Sequence, residues 1–179
     1  LPANPNANPQ ARLYLYQTWT RPDLTYPADA PYAGEPIETM AEDLRNAYGQ
    51  TALNHGGFAG VVPVGDAFVR AVQEGLAQRN PYEPAPRLFD LWWHEDQFHP
   101  SAYGAYLSAL AFFGAITRID PASFGPNEKP AGDLRIRALH AMQLQRVASA
   151  QLRASGYELR TLACLHASPK AGGTRPCTR

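Results

Sequence analysis

Short runs of β-forming residues alternate along this chain with segments of helical periodicity, and no other feature limits its fold as strongly. The first run, residues 12–19, is rich in leucine, tyrosine and tryptophan and contains neither glycine nor proline. A β-branched run follows at 60–64, where Pro63 favours a strand end or an edge, and a third run lies at 88–92. Strands that alternate with helices indicate an α/β domain with a parallel sheet and helices on both faces.

Four helices are predicted from the spacing of the apolar residues. The first begins near Pro36, because proline is favoured in a first turn, and the second covers 67–78. The third, 102–116, is apolar almost all round and is expected to be buried, while the last runs from a cap at Asp133 to Gly156. The first and last helices carry apolar stripes formed by Ile37, Met40, Ala41, Leu44, Tyr48 and Thr51, and by Ala141, Leu144, Ala148 and Leu152.

The predicted sheet has fewer strands than such a domain usually contains. Three strands fall short of the usual complement of about 5 to 6. We therefore expect residues 1–155 to be the C-terminal portion of a domain whose remaining strands would lie before residue 1. Residues 156–179 are rich in glycine, proline, serine and threonine and are expected to form an irregular tail.

Charge and hydropathy argue against two classes of partner. Sixteen basic and sixteen acidic side chains cancel, so no electrostatic attraction favours nucleic acid or an anionic membrane. The longest mainly apolar run, 102–116, is shorter than the roughly 20 residues that a helix needs to cross a bilayer. The sequence thus predicts neither a nucleic-acid partner nor a membrane-spanning segment.

The two cysteines, Cys164 and Cys177, both lie in the tail. They are expected to form a disulfide, which would require an oxidising compartment and so predicts a secreted or periplasmic protein. Two unrelated free thiols remain the alternative. The first residues contain neither a basic segment nor an apolar one of the kind found in signal peptides, although a leader could have been removed.

The strongest chemical pattern is Asp96-Gln97-Phe98-His99-Pro100-Ser101. Pro100 prevents a helix from continuing through His99, so the side chains of Asp96 and His99 are expected to converge on a turn. A carboxylate bound to one imidazole nitrogen fixes the tautomer and leaves the other nitrogen free to take a proton from a nucleophile. We therefore expect this pair to be the acid and base part of a catalytic triad.

This block resembles the last sequence block of the SGNH (GDSL-type) serine hydrolases, in which Asp-x-x-His is followed by Pro-Ser and a helix of small apolar residues. Three further segments are similar to the second half of a bacterial branch of that superfamily, and the likeness covers roughly residues 12 to 155. These segments are Leu15-Tyr16-Gln17-Thr18-Trp19, Val62-Pro63-Val64-Gly65-Asp66-Ala67-Phe68 and Tyr103-Gly104-Ala105-Tyr106-Leu107. The resemblance implies a three-layer α/β/α sandwich of the flavodoxin-like type and a hydrolase that needs no cofactor.

Three blocks of that family are missing from this sequence. They are the Gly-Asp-Ser or Gly-Asn-Ser block with the nucleophile, and the two blocks whose glycine and asparagine complete the oxyanion hole. Gly65-Asp66-Ala67 is similar to the first block with alanine in place of serine, but it lies just upstream of the Asp96 block, so we reject it as a mutated nucleophile. Ser101 follows His99 by two residues, and its better interpretation is an N-cap for the next helix.

The resemblance implies a carboxyl-ester hydrolase or deacetylase acting on an ester or an acetylated small molecule or carbohydrate. Asp96 and His99 would belong to this chain, and the serine would come from a missing N-terminal segment. A second polypeptide that carries this serine is one source, and a segment lost by processing or truncation is the other. Trp92 and Trp93, beside Trp19, are candidates for an apolar substrate wall, with Trp19 and Trp93 as the expected substrate-binding residues. The alternative is that at least one of the three packs in the core.

Two other functions remain open. The chain could be an inactive hydrolase half that serves as a binding or interaction module. It could also be a metal-dependent enzyme that uses His94, Asp96 and His99, with Glu95, His55 or His140 as further ligands, although the spacing matches no helical metal motif.

Overall fold

The computed structural model describes residues 8, 10–85 and 87–163, and within them it confirms an α/β fold. A two-stranded parallel sheet is packed against helices from both halves of the chain. The strands are β1 (Leu13–Gln17) and β2 (Phe58–Pro63), and the helices are α1 (Ile37–His55), α2 (Val64–Gln73), α3 (Ala102–Thr117), α4 (Lys129–Asp133) and α5 (Ala138–Ala154). The predicted pairing of Cys164 with Cys177 lies outside the described residues.

The sheet joins β1 to β2 in parallel, with Tyr14 opposite Gly60 and Gln17 opposite Pro63. Successive side chains of a strand point to opposite faces, and the contacts of β1 follow this rule. The Tyr16 ring meets Phe112 of α3 edge to face, whereas the Gln17 amide donates to Asp66 on the first turn of α2. Helical residues therefore contact both faces of this small sheet.

The predicted third strand at 88–92 is wrong. This segment makes only isolated bridges, one between Phe89 and Ala77 and one between Trp92 and Pro100. Its backbone bonds are divided among neighbours, since the Phe89 amide donates to Leu76 and the Leu91 carbonyl accepts from Ser101. The segment thus ties two loops together and does not extend the sheet.

The core lies between α2, α3 and α5, and close backbone contacts hold it together. The last helix presents the predicted stripe, since Ala141, Leu144, Ala148 and Leu152 are all fully buried. Its predicted start is wrong: Asp133 ends the separate helix α4, and Arg135 has a positive φ of 58° before α5 begins.

At Gly104 in α3 an added Cβ would lie 2.1 Å from the Leu91 carbonyl oxygen, so only glycine permits this contact.

One face of α3 is exposed, which corrects the prediction that the whole helix is buried. Phe113 and Ile116 expose 38% and 51% of their surface, and Ala102, Ala105 and Ala109 on the same side are exposed as well. Within the described residues, the edge of β1 that faces away from β2 has no partner strand. The Tyr16–Phe112 contact links β1 to this side of α3, so an unpaired strand edge and an apolar helix surface lie close to each other.

None of the helices among the described residues combines the length and the apolar character needed to cross a membrane.

Candidate active site

The loop between Trp93 and α3 holds the predicted acid and base. The Trp93 amide donates to the His99 carbonyl oxygen at 2.7 Å, and the Gln97 amide donates back to the Trp93 carbonyl oxygen at 2.8 Å. These two bonds close the loop, and Ser101 then starts α3. Pro100 follows the closure, so the loop cannot continue as a helix and leaves the side chain of His99 at its tip.

Asp96 and His99 are brought together as predicted. Nδ1 of His99 lies 2.5 Å from Oδ2 of Asp96, so the two side chains are in hydrogen-bond contact. Such a bond is strengthened when the carboxylate is ionised. The other oxygen, Oδ1, accepts the backbone amides of Phe98 and His99 at 2.8 and 2.9 Å. The carboxylate therefore orients both the imidazole and the backbone that carries it.

The acid is held ionised and the base is accessible. The hydrogen bond from His99, together with the two backbone amides, lowers the pKa of Asp96 to about 2. The side chain of His99 is 62% exposed, and that of Asp96 is 32% exposed. With Nδ1 engaged by Asp96, Nε2 is the ring nitrogen that an incoming group can meet, so the arrangement can accept a proton from a hydroxyl placed there.

The loop contains strained and incompletely satisfied groups. Gln97 has a positive φ of 53°, a conformation that residues other than glycine adopt infrequently. This residue is 7% exposed, and its side-chain Oε1 has no hydrogen-bond partner. Thr20 Oγ1 is the other buried side-chain atom without a partner among the described residues. Such features concentrate at functional sites.

The structure places the three candidate wall tryptophans differently, and Trp92 packs in the core, as the alternative interpretation expected. Trp93 is 43% exposed and meets the ring of His94 edge to face. Trp19 is half-buried, its ring is stacked on Phe68, and its indole N–H donates to the Phe98 carbonyl oxygen at 2.8 Å. Trp93 therefore presents a free apolar surface beside the loop, whereas the indole of Trp19 is engaged within the protein.

Ser101 is confirmed as the N-cap of α3. Its Oγ accepts the amides of Tyr103 and Gly104 at 3.1 and 3.3 Å and donates to the Asp90 carbonyl oxygen at 2.5 Å. The hydroxyl is thus fully used by the backbone, which leaves it a poor nucleophile.

Asp66 is held in a cluster of hydrogen bonds with Gln17 and Arg45. It lies in the first turn of α2 and accepts hydrogen bonds from Gln17 at 3.0 Å and from Arg45 at 2.8 Å. Its side chain is 10% exposed, so the carboxylate is partly buried and paired with a cation. Sequence reasoning did not identify this cluster, because Gln17, Arg45 and Asp66 come from three separate elements.

The candidate metal ligands do not form a site. Among the described residues, no three histidine, cysteine, aspartate or glutamate side chains are grouped so that they could hold an ion. His140 lies on α5, where its Nδ1 is 3.1 Å from the Tyr103 hydroxyl, and His55 ends α1. Neither approaches the Asp96 loop as a ligand.

A cavity of about 580 Å³ lies beside β2, between α1 and the end of α5. Arg45, Asp66, Arg118 and Tyr157 are among its lining residues, whereas Asp96, His99 and Trp93 are not. The loop with the acid and base therefore lies outside this cavity, and a substrate at His99 would need walls from elsewhere.

No protein-family model matches this chain, and no curated protein or solved structure matches it either. The assignment of the candidate site therefore rests on the geometry described above.

Proposed function

We propose that this chain supplies the acid and base of an SGNH-type serine hydrolase, a carboxyl-ester hydrolase or deacetylase. The observation that carries the proposal is the 2.5 Å contact between His99 Nδ1 and Asp96 Oδ2 on an exposed turn. The serine is proposed to come from an N-terminal segment that these 179 residues do not include, as the resemblance implies. In support, no serine of the described part contacts His99, and the best placed one, Ser101, is engaged as a cap.

The complete domain would be a three-layer α/β/α sandwich. Two features of the described residues support this proposal: Tyr16 and Gln17 direct their contacts to opposite faces of β1, and the outer edge of β1 has no partner strand. A further parallel strand on that edge would end beside Trp19, since parallel strands share the edge at which their carboxyl ends lie. Ligands of open α/β sheets bind at that edge.

The proposed reaction follows the serine–histidine–aspartate scheme. The serine hydroxyl attacks the acyl carbon while Nε2 of His99 takes its proton, and the imidazolium then protonates the leaving alkoxide. Water attacks the acyl-enzyme in the same way, giving the carboxylic acid and restoring the neutral imidazole. Asp96 holds the ring through Nδ1 and stabilises its protonated form. Oxyanion donors, each worth about 10²- to 10³-fold in rate, would come with the serine segment.

The proposed substrate is an ester or an acetylated small molecule or carbohydrate. The exposed ring of Trp93 beside the loop supports a contact with an acyl chain or a sugar face. A secreted or periplasmic location is proposed together with the Cys164–Cys177 disulfide, on which it depends.

The test combines the chain with its serine-bearing segment and follows p-nitrophenyl acetate hydrolysis. Asp96→Asn is expected to lower kcat by about 10³- to 10⁴-fold, because the imidazole would lose its orienting carboxylate. Asp90→Asn is the matched control, since Asp90 is close in sequence but bonds the Trp92 amide and makes no contact with His99. If the 179 residues alone hydrolysed the ester and lost that activity on His99→Ala, the external serine would be refuted.

A second candidate, an interaction module, is favoured by the unpaired edge of β1 and the exposed apolar side of α3. Strand edges bind other strands through main-chain hydrogen bonds. If the assembled protein failed to react with a fluorophosphonate probe and yet bound a partner through β1, this candidate would replace the hydrolase.

A further inference from the structure

Phe98, which lies between the proposed acid and base, is held from outside its loop by two side chains. The indole N–H of Trp19 donates to the Phe98 carbonyl oxygen at 2.8 Å. The guanidinium of Arg21 lies 3.8 Å from the centre of the Phe98 ring, in the geometry of a cation–π contact. Both the backbone and the ring of Phe98 are thus fixed by the segment that follows β1.

The two side chains that hold Phe98 are themselves fixed. The Trp19 ring is stacked on Phe68 of α2, with 5.4 Å between centroids and 13° between planes. Arg21 is held by Asp23 through two hydrogen bonds, of 3.1 and 2.5 Å. Contacts of Trp19 and Arg21 therefore link the core helix α2 and the segment after β1 to the loop.

The loop requires such support because its own backbone is strained. Gln97 has a φ of 53° and buries an unpaired Oε1. A residue in this conformation persists only where the surrounding structure holds it. The bonds within the loop fix Asp96 relative to His99, but they do not fix either residue relative to the sheet.

We propose that Trp19 and Arg21 are positioning residues, which act through Phe98 to fix His99 beside the carboxyl end of β1. This inference rests on the proposed function, and it assigns Trp19 a role other than the substrate wall expected from the sequence. One ring face of Trp19 is stacked on Phe68 and its N–H is bonded to Phe98, so this side chain is engaged by the core and by the loop.

The first test uses the 179-residue chain and needs no activity. Trp19→Phe removes the N–H donor, and replacement of the indole by benzothiophene removes the same donor while it keeps the ring stacked on Phe68. Tyr157→Phe is the matched control, because the Tyr157 hydroxyl also donates to a backbone carbonyl, that of Val61, at 2.8 Å. Amide hydrogen exchange and the carbon shifts of Gln97, which report its φ, are the measurements.

Both Trp19 replacements are expected to speed exchange of the Phe98 and His99 amides by roughly 2- to 10-fold, the effect of one lost hydrogen bond. The Gln97 shifts should move toward negative φ, while β2 and α5 remain as in the unmodified protein. Tyr157→Phe should instead leave the loop amides and the Gln97 shifts unchanged and should alter exchange in β2 and α5. A loop unchanged by the benzothiophene replacement, or changes of equal size throughout the molecule, would overturn the proposal.

The second test uses the assembled enzyme. Arg21→Gln and the benzothiophene replacement are expected to lower kcat with little change in KM, whereas a substrate wall would raise KM with kcat retained. The exchange result does not depend on a serine, so it stands if the hydrolase proposal fails. An active enzyme whose kcat is insensitive to both changes would refute the positioning role alone.

Discussion

Asp96 bonds His99 twice, once through each carboxylate oxygen. Oδ2 lies 2.5 Å from the ring atom Nδ1, and Oδ1 accepts the backbone amide of the same residue at 2.9 Å. The orientation of the imidazole and the shape of the backbone beneath it therefore depend on a single side chain. A change at Asp96 is expected to alter both together.

Titration of Asp96 is the most direct check of this pair. The pKa of Asp96 is about 2, and the largest cause is the hydrogen bond from His99. His99→Ala is expected to raise the midpoint toward the ordinary value of about 3.9, measured by carbon NMR of the Asp96 carboxyl group. Burial raises the pKa of Asp120, but hydrogen bonds from Ser149 and Arg153 bring it below its ordinary value, and this pKa should not move.

The sign of the accompanying pH dependence follows from linkage. A carboxyl group whose pKa is lower in the folded state contributes stability above the unfolded pKa of about 3.9, and the contribution is lost as the pH falls through about 2. Denaturant titrations between pH 4 and pH 2 should therefore show a shallower loss of stability in Asp96→Asn than in the unmodified protein. Equal slopes would mean that Asp96 is not selectively stabilised in its charged form.

The ion pair between Arg45 and Asp66 is expected to contribute to stability. The side chain of Asp66 is 10% exposed, so Arg45→Ala would leave a partly buried carboxylate with only Gln17 as partner. We expect a loss of about 1 to 2 kcal/mol in the free energy of unfolding, reduced from a fully buried pair because Arg45 is 52% exposed. Urea denaturation measures this loss.

Lys129→Ala provides the control, because Lys129 and Asp133 form a pair that is 82% and 63% exposed. It should change the unfolding free energy by less than about 0.5 kcal/mol. A similar cost for both substitutions would contradict the role of burial at Asp66.

Ser101→Ala should destabilise α3 by about 1 kcal/mol, since two amides of the first turn would lose their acceptor. Ser101→Thr keeps the hydroxyl and should retain most of the stability. Neither these variants nor the unmodified chain should be labelled by a fluorophosphonate probe. Covalent labelling at Ser101 would instead identify it as a nucleophile.

Gly104→Ala tests the contact between α3 and the segment before the loop. The new methyl group would lie 2.1 Å from the Leu91 carbonyl oxygen, so the backbone must shift, and we expect a loss of about 1 to 3 kcal/mol. Gly132→Ala is the control, because no atom lies within 4 Å of the added group. It should be neutral or stabilise by up to about 1 kcal/mol, because alanine restricts the unfolded chain.

The α/β class was predictable because the chain alternates between two periodicities, and the α5 stripe was predictable because four residues at helical spacing are all apolar. The absence of a strand at 88–92 could not be predicted, since β-forming residues also fit a segment whose backbone bonds go to two different loops. The break before α5 depends on the positive φ of Arg135, a conformation that no residue type in this segment indicates.

The site was predictable to the extent that it is local in sequence. Asp96, His99 and the Ser101 cap lie within six residues, so their spacing and Pro100 were enough to predict their contacts. The contact of Trp19 with Phe98 joins residues 79 positions apart, and it depends on how β1 lies against the loop. Tertiary placement of this kind has no signal in a single sequence.

The edge of β1 that no described strand pairs also has a consequence for the behaviour of the chain in solution. Open edges recruit other strands, and proteins commonly protect them with charges or prolines. The five residues of β1 contain neither, and Leu13 at their start is 61% exposed. Preparations of these 179 residues by themselves are therefore expected to aggregate as concentration rises, and an added strand that occupied the edge would act as a solubiliser.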